Sequence, residues 1–466
     1  MSAMTCVMAE SEDAPSISVM HSLISHCIEL VRWMTEIPPS WGRLVKRVAR
    51  FFVVTLPIMA VAMLAIAYAV HQPIPEQITA FNTHDRIVMN ILEPVIRMVY
   101  YYPAKLCPSA QCMATATRFS MELLGILGGS ILFPLFSPAR WWTDRYSPLV
   151  VREERFFGVE VITYLLPGDE AKSNATIVHL HGGGFTLGRA WMADALARDM
   201  SEAIKPRLIV LVDYRRTPET RFPAPVEDTE AVVQYLMRHG NKQYGIDPDM
   251  IVVAGDSAGG NLAAVAARRY SEPGRPHSIL GHAMIHPVLQ FSDWHTRSYQ
   301  EYYRDNFGLT FLDPEATAVF MLLYAGVDTG DHPEYLEAVL RNGHLSPKAT
   351  ALKNERMNST LLPDRFSGSV LTAPMQAKAS DFELQDYLEP YLLDPDFSPL
   401  MAPDLRGLPP ALMVTMDIDV LRDDGIFYAM RLKEAGVRVT WTHVDEGFHT
   451  VFHMHRVLDL SAVNYF

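Results

Sequence analysis

From about Val150 onward the chain alternates short apolar, β-branched runs with helical patterns, and that alternation limits the fold more than any other feature. The strand-like runs include "VEVITYLLP", "ATIVHLHGGG", "PRLIVLVDY", "MIVVAGDS", "ILGHAMIHPV", "PALMVTMDID" and "VRVTWTHVDEG". Between them lie helix-like stretches such as "DTEAVVQYLMRHG", "NLAAVAARRY" and "DGIFYAMRLKEAG". Continuous apolar strands separated by helices predict an α/β fold, with a mostly parallel central sheet flanked by helices on both faces. The rhythm is lost between about 290 and 399, where helical pieces, aromatics and prolines predict a cap inserted over the sheet.

One corner in this pattern carries chemistry. In "VVAGDSAGGNLAAVAARR", Gly255-Asp256-Ser257-Ala258-Gly259 fits G-x-S-x-G between a predicted strand and a predicted helix. Small neighbours permit a sharp turn that exposes the Ser257 hydroxyl at a helix N-terminus, where negative charge is favoured. A nucleotide-binding glycine loop is the competing reading. Neither G-x-G-x-x-G nor the P-loop lysine is present to support it.

A serine hydroxyl needs a base. Of the 17 histidines, His449 follows the last strand pattern, which alternates to about Val444, turns through Asp445-Glu446-Gly447 and leads into a new helix. His443 falls inside that strand. His453 is four residues past His449, but no further ligand at useful spacing completes a metal site, so no metal is expected. An acid must orient the imidazole. In "ALMVTMDIDVLRDDG", Asp417, Asp419, Asp423 and Asp424 all qualify by position, with Asp417 and Asp419 nearest the predicted strand end. The order serine, acid, histidine is that of an α/β-hydrolase. The His181-Gly182-Gly183-Gly184 run after another buried strand predicts a loop whose backbone N–H groups stabilise an oxyanion.

Four blocks together resemble the hormone-sensitive-lipase group of α/β-hydrolases, and the arylacetamide deacetylases in particular. They are "HGGGF", "DYRRTPETRFPAPVED", "GDSAGGNLA", and "LPPALMVTMDIDVLRDDG" with "GFH". The resemblance runs from about Val150 to the C-terminus. It implies an α/β-hydrolase fold and a Ser257, Asp419, His449 triad, and so selects Asp419 over Asp417. It also implies oxyanion donors at Gly183, Gly184 and Ala258, and no cofactor. His181, Asp213, Glu219 and Asp228 are then structural braces. Phe185 and Leu187 are expected by position to line an apolar acyl site, with aromatics of the 290–330 region. The chain departs from the family pattern at Arg216 and Thr217, where Leu and Ala are usual, and in the long region 71–149.

The first third of the chain points to a membrane. Phe51–Val70 carries no charge and is about the 20 residues that cross a bilayer. Arg43, Lys46, Arg47 and Arg50 precede it and no early Lys or Arg follows, so the N-terminus is expected in the cytosol and the rest across the membrane. Segment 1–50 contains a predicted amphipathic helix, and 71–149 reads as a membrane-proximal helical region. Its short apolar run, Leu123–Phe136, is broken by glycine and proline and reads as core or interfacial. The resemblance implies a single-pass signal anchor with the catalytic domain in the endoplasmic reticulum lumen. The sequons Asn174-Ala175-Thr176 and Asn358-Ser359-Thr360 would then be lumenal, and Cys107 and Cys112 could bridge there.

A net charge of -13 argues against nucleic acid as a partner. The expected partners are the membrane and a small-molecule or lipid ester. Two other readings remain at this level, a hydrolase-fold ligand receptor without catalysis and a membrane scaffold.

Overall fold

The computed structural model describes residues 107, 109–127, 147–272, 274, 277–304, 312–368 and 381–451. The expected anchor at 51–70, the amphipathic segment before it and His453 lie outside these residues. Among the described residues no helix is long and apolar enough to cross a membrane.

Eight strands form one sheet: β1 (Val150–Phe156), β2 (Val159–Leu165), β3 (Thr176–Leu180), β4 (Leu208–Asp213), β5 (Ile251–Asp256), β6 (Gly281–Ile285), β7 (Ala411–Ile418) and β8 (Val439–Phe448). Their order is β1-β2-β4-β3-β5-β6-β7-β8. The β1–β2 and β2–β4 pairs are antiparallel and every other pair is parallel. Phe157 (φ 47°) and Gly158 (φ 91°) make the two-residue β1–β2 turn, the positive-φ geometry that matches strand twist. β1 is an edge strand whose exposed Arg152, Glu153 and Arg155 discourage a further chain from pairing with it.

The parallel centre is apolar because both faces are covered. All five residues of β3 are buried. Val178 and Leu180 join Val210, Val212 and Val253 in one core cluster, whereas Ile177 joins Ile209, Leu211 and Ala254 in another. This split is the period-two alternation of a strand buried on both sides.

Among the described residues, ten helices of eight residues or more flank the sheet: α1 (Ala110–Leu127), α2 (Asp194–Ala203), α3 (Ala224–Tyr235), α4 (Ala258–Arg269), α5 (Arg297–Arg304), α6 (Pro314–Tyr324), α7 (Pro333–Leu340), α8 (Pro347–Arg356), α9 (Phe382–Leu392) and α10 (Arg422–Glu434). Helices α5 to α9 all lie between β6 and β7, and their starts follow local chemistry. Asp313, Ser346 and Asp381 each accept a hydrogen bond from a backbone N–H in the first turn of α6, α8 and α9, and Pro314 and Pro347 occupy the first helical position, where a missing N–H costs nothing. Residues of α6, α7 and α9, including Met321, Val339 and Leu388, share the large core cluster with the sheet.

Helix α1 comes from the long region ahead of the sheet. A disulfide joins Cys107 to Cys112 at its start. Met113 packs on Leu323 of α6, and Met121 packs with Leu187 and Phe320. The first residues of the Leu123–Phe136 run continue this helix to Leu127, and the remainder lies outside the described residues.

Candidate active site

The parallel strands end at a common edge, and the sequence-selected residues meet there. Ser257 follows β5 and precedes α4 with φ 54° and ψ -117°. A positive φ is sterically costly for serine, so the tight packing around it must hold it. Gly259 explains the packing: a Cβ there would fall 1.9 Å from the Leu180 carbonyl oxygen of β3. The glycines of this corner therefore serve close approach to the sheet, and the same approach presents the serine. The Ser257 N–H donates to the Ile285 carbonyl at 2.9 Å, which ties the corner to β6.

His449 follows β8. Its Nε2 lies 3.1 Å from Ser257 Oγ, and its Nδ1 lies 2.8 Å from Asp419 Oδ2. A carboxylate only accepts, so the tautomer that fits carries its proton on Nδ1 and leaves the Nε2 lone pair toward the serine hydroxyl. Asp419 Oδ1 accepts the Leu421 N–H at 2.9 Å, which fixes the carboxylate plane. All three residues are buried.

The four acids considered from sequence have separate partners. Asp417 lies 3.4 Å from His443 Nε2 and 3.5 Å from Arg365 Nη2. Against the upward push of burial, the contact with His443 and the nearby Arg422 and Arg365 guanidiniums hold its carboxyl below the usual range. Asp423 accepts from Arg422 Nε and from the Ser298 N–H. Asp424 accepts from Gln290 and the Leu289 N–H, and its burial pushes the carboxyl well up. One correction concerns the approach to His449. The predicted turn at 445–447 is instead the last part of β8, which continues to Phe448. Glu446 takes φ 57° and the β7–β8 register shifts between Met416 and Ile418. This irregular strand end delivers His449 to the edge.

The glycine loop lies beside the serine. Gly182 N–H donates to Asp256 Oδ2 at 3.0 Å. Gly183 (φ 111°), Gly184 (φ 60°) and Phe185 (φ 58°) then turn through left-handed geometry. Among the described residues neither the Gly183 nor the Gly184 N–H donates a hydrogen bond. Ala258 opens α4, where the first N–H groups have no intrahelical acceptor. His181 stacks on Tyr214 at 4.2 Å, and burial pushes its imidazole down to about 4. Asp213 accepts from the Ala190 N–H and Arg189, and Asp228 accepts from the Arg215 N–H.

Phe185 and Leu187 are both buried. The Phe185 ring stacks on Tyr324 at 3.7 Å inside the main core, and Leu187 contacts Met121 and Phe320. Sequence reasoning did not single out Phe320 of α6. Its ring lies against Gly184 so closely that a Cβ there would fall 2.3 Å from it. Arg118 and His286 were also missed. The His286 ring lies 4.3 Å from that of His449. Among the described residues, His286, Asp419 and His449 place one potential metal-ligand atom each within 4.8 Å of one another. Asp419 and His449 already share a hydrogen bond through Oδ2 and Nδ1. A polar cleft of about 390 Å³, lined by Arg356, Asn358, Asp404, Arg406 and Arg431 among others, includes none of the residues at this edge.

The profile of the alpha/beta hydrolase fold family matches residues 177–354 and 345–454. Neutral cholesterol ester hydrolase 1 of Bos taurus is 30% identical over 403 residues, 84% of this chain and 91% of the relative. Arylacetamide deacetylase of Oryctolagus cuniculus is 33% identical over 309 residues, 65% of this chain and 74% of the relative. Neutral cholesterol ester hydrolase 1 of Mus musculus is 34% identical over 316 residues, 66% of this chain and 74% of the relative. With its mostly parallel sheet and these relatives, the chain belongs to the α/β-hydrolase fold family, in the hormone-sensitive-lipase-like group of carboxylic ester hydrolases.

Proposed function

We propose that the protein is a membrane-anchored serine hydrolase that cleaves carboxylic esters, and some amides, of apolar small molecules or lipids. The observation that carries this reading is the line from Ser257 Oγ through His449 to Asp419, with separations of 3.1 and 2.8 Å. In this mechanism His449 Nε2 takes the hydroxyl proton as Ser257 attacks the acyl carbonyl. Asp419 holds the imidazole and stabilises the cation that forms. The N–H groups of Gly183, Gly184 and Ala258 receive the oxyanion, each contributing about 3 to 4 kcal/mol to the transition state by analogy with measured oxyanion donors. His449 then returns the proton to the leaving alcohol or amine. Water, activated by the same base, releases the acyl group.

The names of the relatives suggest sterol esters and arylacetamides as substrates. Apolar side chains around the loop, Leu187, Met121 and Phe320 among them, support an apolar acyl group. The uncharged 51–70 segment and the basic residues before it support a signal anchor with a lumenal catalytic domain. Asn174 and Asn358 are both exposed, as acceptors for glycans would have to be.

The test is fluorophosphonate labelling together with hydrolysis of a p-nitrophenyl ester, for the wild type, Ser257→Ala and His449→Ala. Labelling and turnover by the wild type alone would support the reading. A folded wild type that neither labels nor turns over would favour a ligand receptor built on the same fold.

A further inference from the structure

Two sequence features have no role in the reaction as described: the region ahead of the sheet, and the departures at Arg216 and Thr217. They converge on one place. Arg118 reaches from α1 to the far side of the glycine loop. Its Nε and Nη2 donate to the Thr186 carbonyl at 2.9 and 2.6 Å. Nη2 also donates to the Thr217 carbonyl, and Nη1 pairs with Glu219 at 2.6 Å. The buried hydroxyls of Thr186 and Thr217 are 2.5 Å apart. Arg216 Nη1 donates to the Gly188 carbonyl at 2.5 Å.

These contacts set the direction of the loop's N–H groups. A trans peptide is planar, with its carbonyl and N–H pointing oppositely, so holding the carbonyl of one residue aims the N–H of the next. The Gly183 carbonyl accepts from the Thr186 and Leu187 N–H groups at 3.0 and 2.7 Å. That orients the Gly184 N–H. The Gly184 carbonyl accepts from Thr186 Oγ1 at 3.1 Å, and the Phe185 carbonyl accepts from the Thr217 N–H at 2.9 Å. Thr186 is thus the hub of the loop, and Arg118 is the group that holds the hub's own carbonyl. A guanidinium suits this task because its rigid fork meets several acceptors at once, which an ammonium cannot do.

We propose that Arg118 is a positioning residue for the oxyanion hole, acting through Thr186 on the Gly183–Gly184 peptide. Helix α1 is then a working part of the hydrolase site. This inference rests on the proposed role of Gly183 and Gly184. The guanidinium touches no reacting atom. Its contribution belongs to the transition state, where the oxyanion forms, and hardly to binding of the ground-state ester.

The experiment compares wild type, Arg118→Ala, Arg118→Lys and, as a control on the same helix, Phe119→Ala, whose side chain is exposed. Each is measured for kcat and KM on a p-nitrophenyl ester, with and without added guanidinium chloride at sub-denaturing concentration, and for its thermal transition. Arg118→Ala is expected to lower kcat by about 10- to 100-fold with KM within about threefold. Guanidinium should restore part of that loss, Arg118→Lys should recover little, and Phe119→Ala should match the wild type. Unchanged kcat in Arg118→Ala overturns the proposal, as does a rise in KM alone. If Arg118→Ala does not fold, a folded Arg118→Lys that keeps wild-type kcat also overturns it. Turnover by the wild type with a silent Ser257→Ala upholds the hydrolase reading in every one of these cases. A wild type without turnover fails that reading first.

Discussion

His449 Nδ1 lies 2.8 Å from Asp419 Oδ2, just past the end of β7, while Asp417, two residues earlier and still on that strand, lies 3.4 Å from His443 Nε2. Two aspartates with the same local sequence context thus serve two different histidines. The pairing makes them separable by mutation. Asp419→Asn should lower kcat about 10³- to 10⁴-fold, because the amide no longer selects the productive tautomer or stabilises the imidazolium. Asp417→Asn should leave kcat within about threefold, since its partners lie outside the line to Ser257. Steady-state kinetics on one ester decides it, and equal losses from both variants would refute the assignment of Asp419.

Phe320 touches Gly184 and packs with Met121 and Leu187, so it borders the loop proposed to hold the acyl carbonyl. Phe320→Ala should shift the preferred acyl chain toward longer esters, by about 10-fold or more in relative kcat/KM. A chain-length series of p-nitrophenyl esters measures this. An unchanged profile would place the acyl group elsewhere.

Two histidines away from the serine make stability depend on pH. Burial pushes His282 and His344 down to about 4, below the roughly 6.5 of an unfolded chain. The unfolded state therefore binds the extra protons first. Their stabilising effect is complete above about pH 6.5 and is lost as pH falls toward 4, on the order of 3 kcal/mol per histidine. Urea unfolding at pH 7, 5.5 and 4.5 should show this slope, and His282→Leu should flatten it. A variant with the wild-type slope would count against the assignment.

The approach of α4 to β3 should be intolerant of any added atom. A Cβ at Gly259 would fall 1.9 Å from the Leu180 carbonyl oxygen, and backbone on both sides leaves little room to relax. Gly259→Ala should cost more than about 3 kcal/mol of stability and abolish fluorophosphonate labelling. A soluble Gly259→Ala protein with the wild-type thermal transition would contradict this packing.

Much of the site is legible in the sequence because its parts are local. The serine corner, the triple glycine and the acids after β7 each lie where an apolar strand ends, and strand ends are visible as breaks in periodicity. What failed is equally physical. The strand before His449 runs through Asp445, Glu446 and Gly447, residues that usually mark a turn, because an irregular register with β7 absorbs Glu446 at positive φ. Phe320 and Arg118 carry no motif. The signals bearing on Arg118 were indirect, the unexplained 71–149 region that carries it and the unusual Thr217 whose carbonyl it holds.

The sequence by itself determined the layering of sheet and helices, the serine and the order serine, acid, histidine, since these follow from hydrophobic period and from residues adjacent in the chain. Position along the chain left Asp417 and Asp419 open and the family resemblance pointed to Asp419. The tertiary structure supplies the physical reason it is Asp419 that faces His449, and it alone decided what stands behind the glycine loop. In a regular strand Asp417 and Asp419 would share a face. The register shift after Met416 and the end of β7 at Ile418 separate them, and hydrophobic period does not encode that. The Arg118 contact joins residues 68 and 99 positions apart, a distance over which periodicity carries no information and only packing brings groups together.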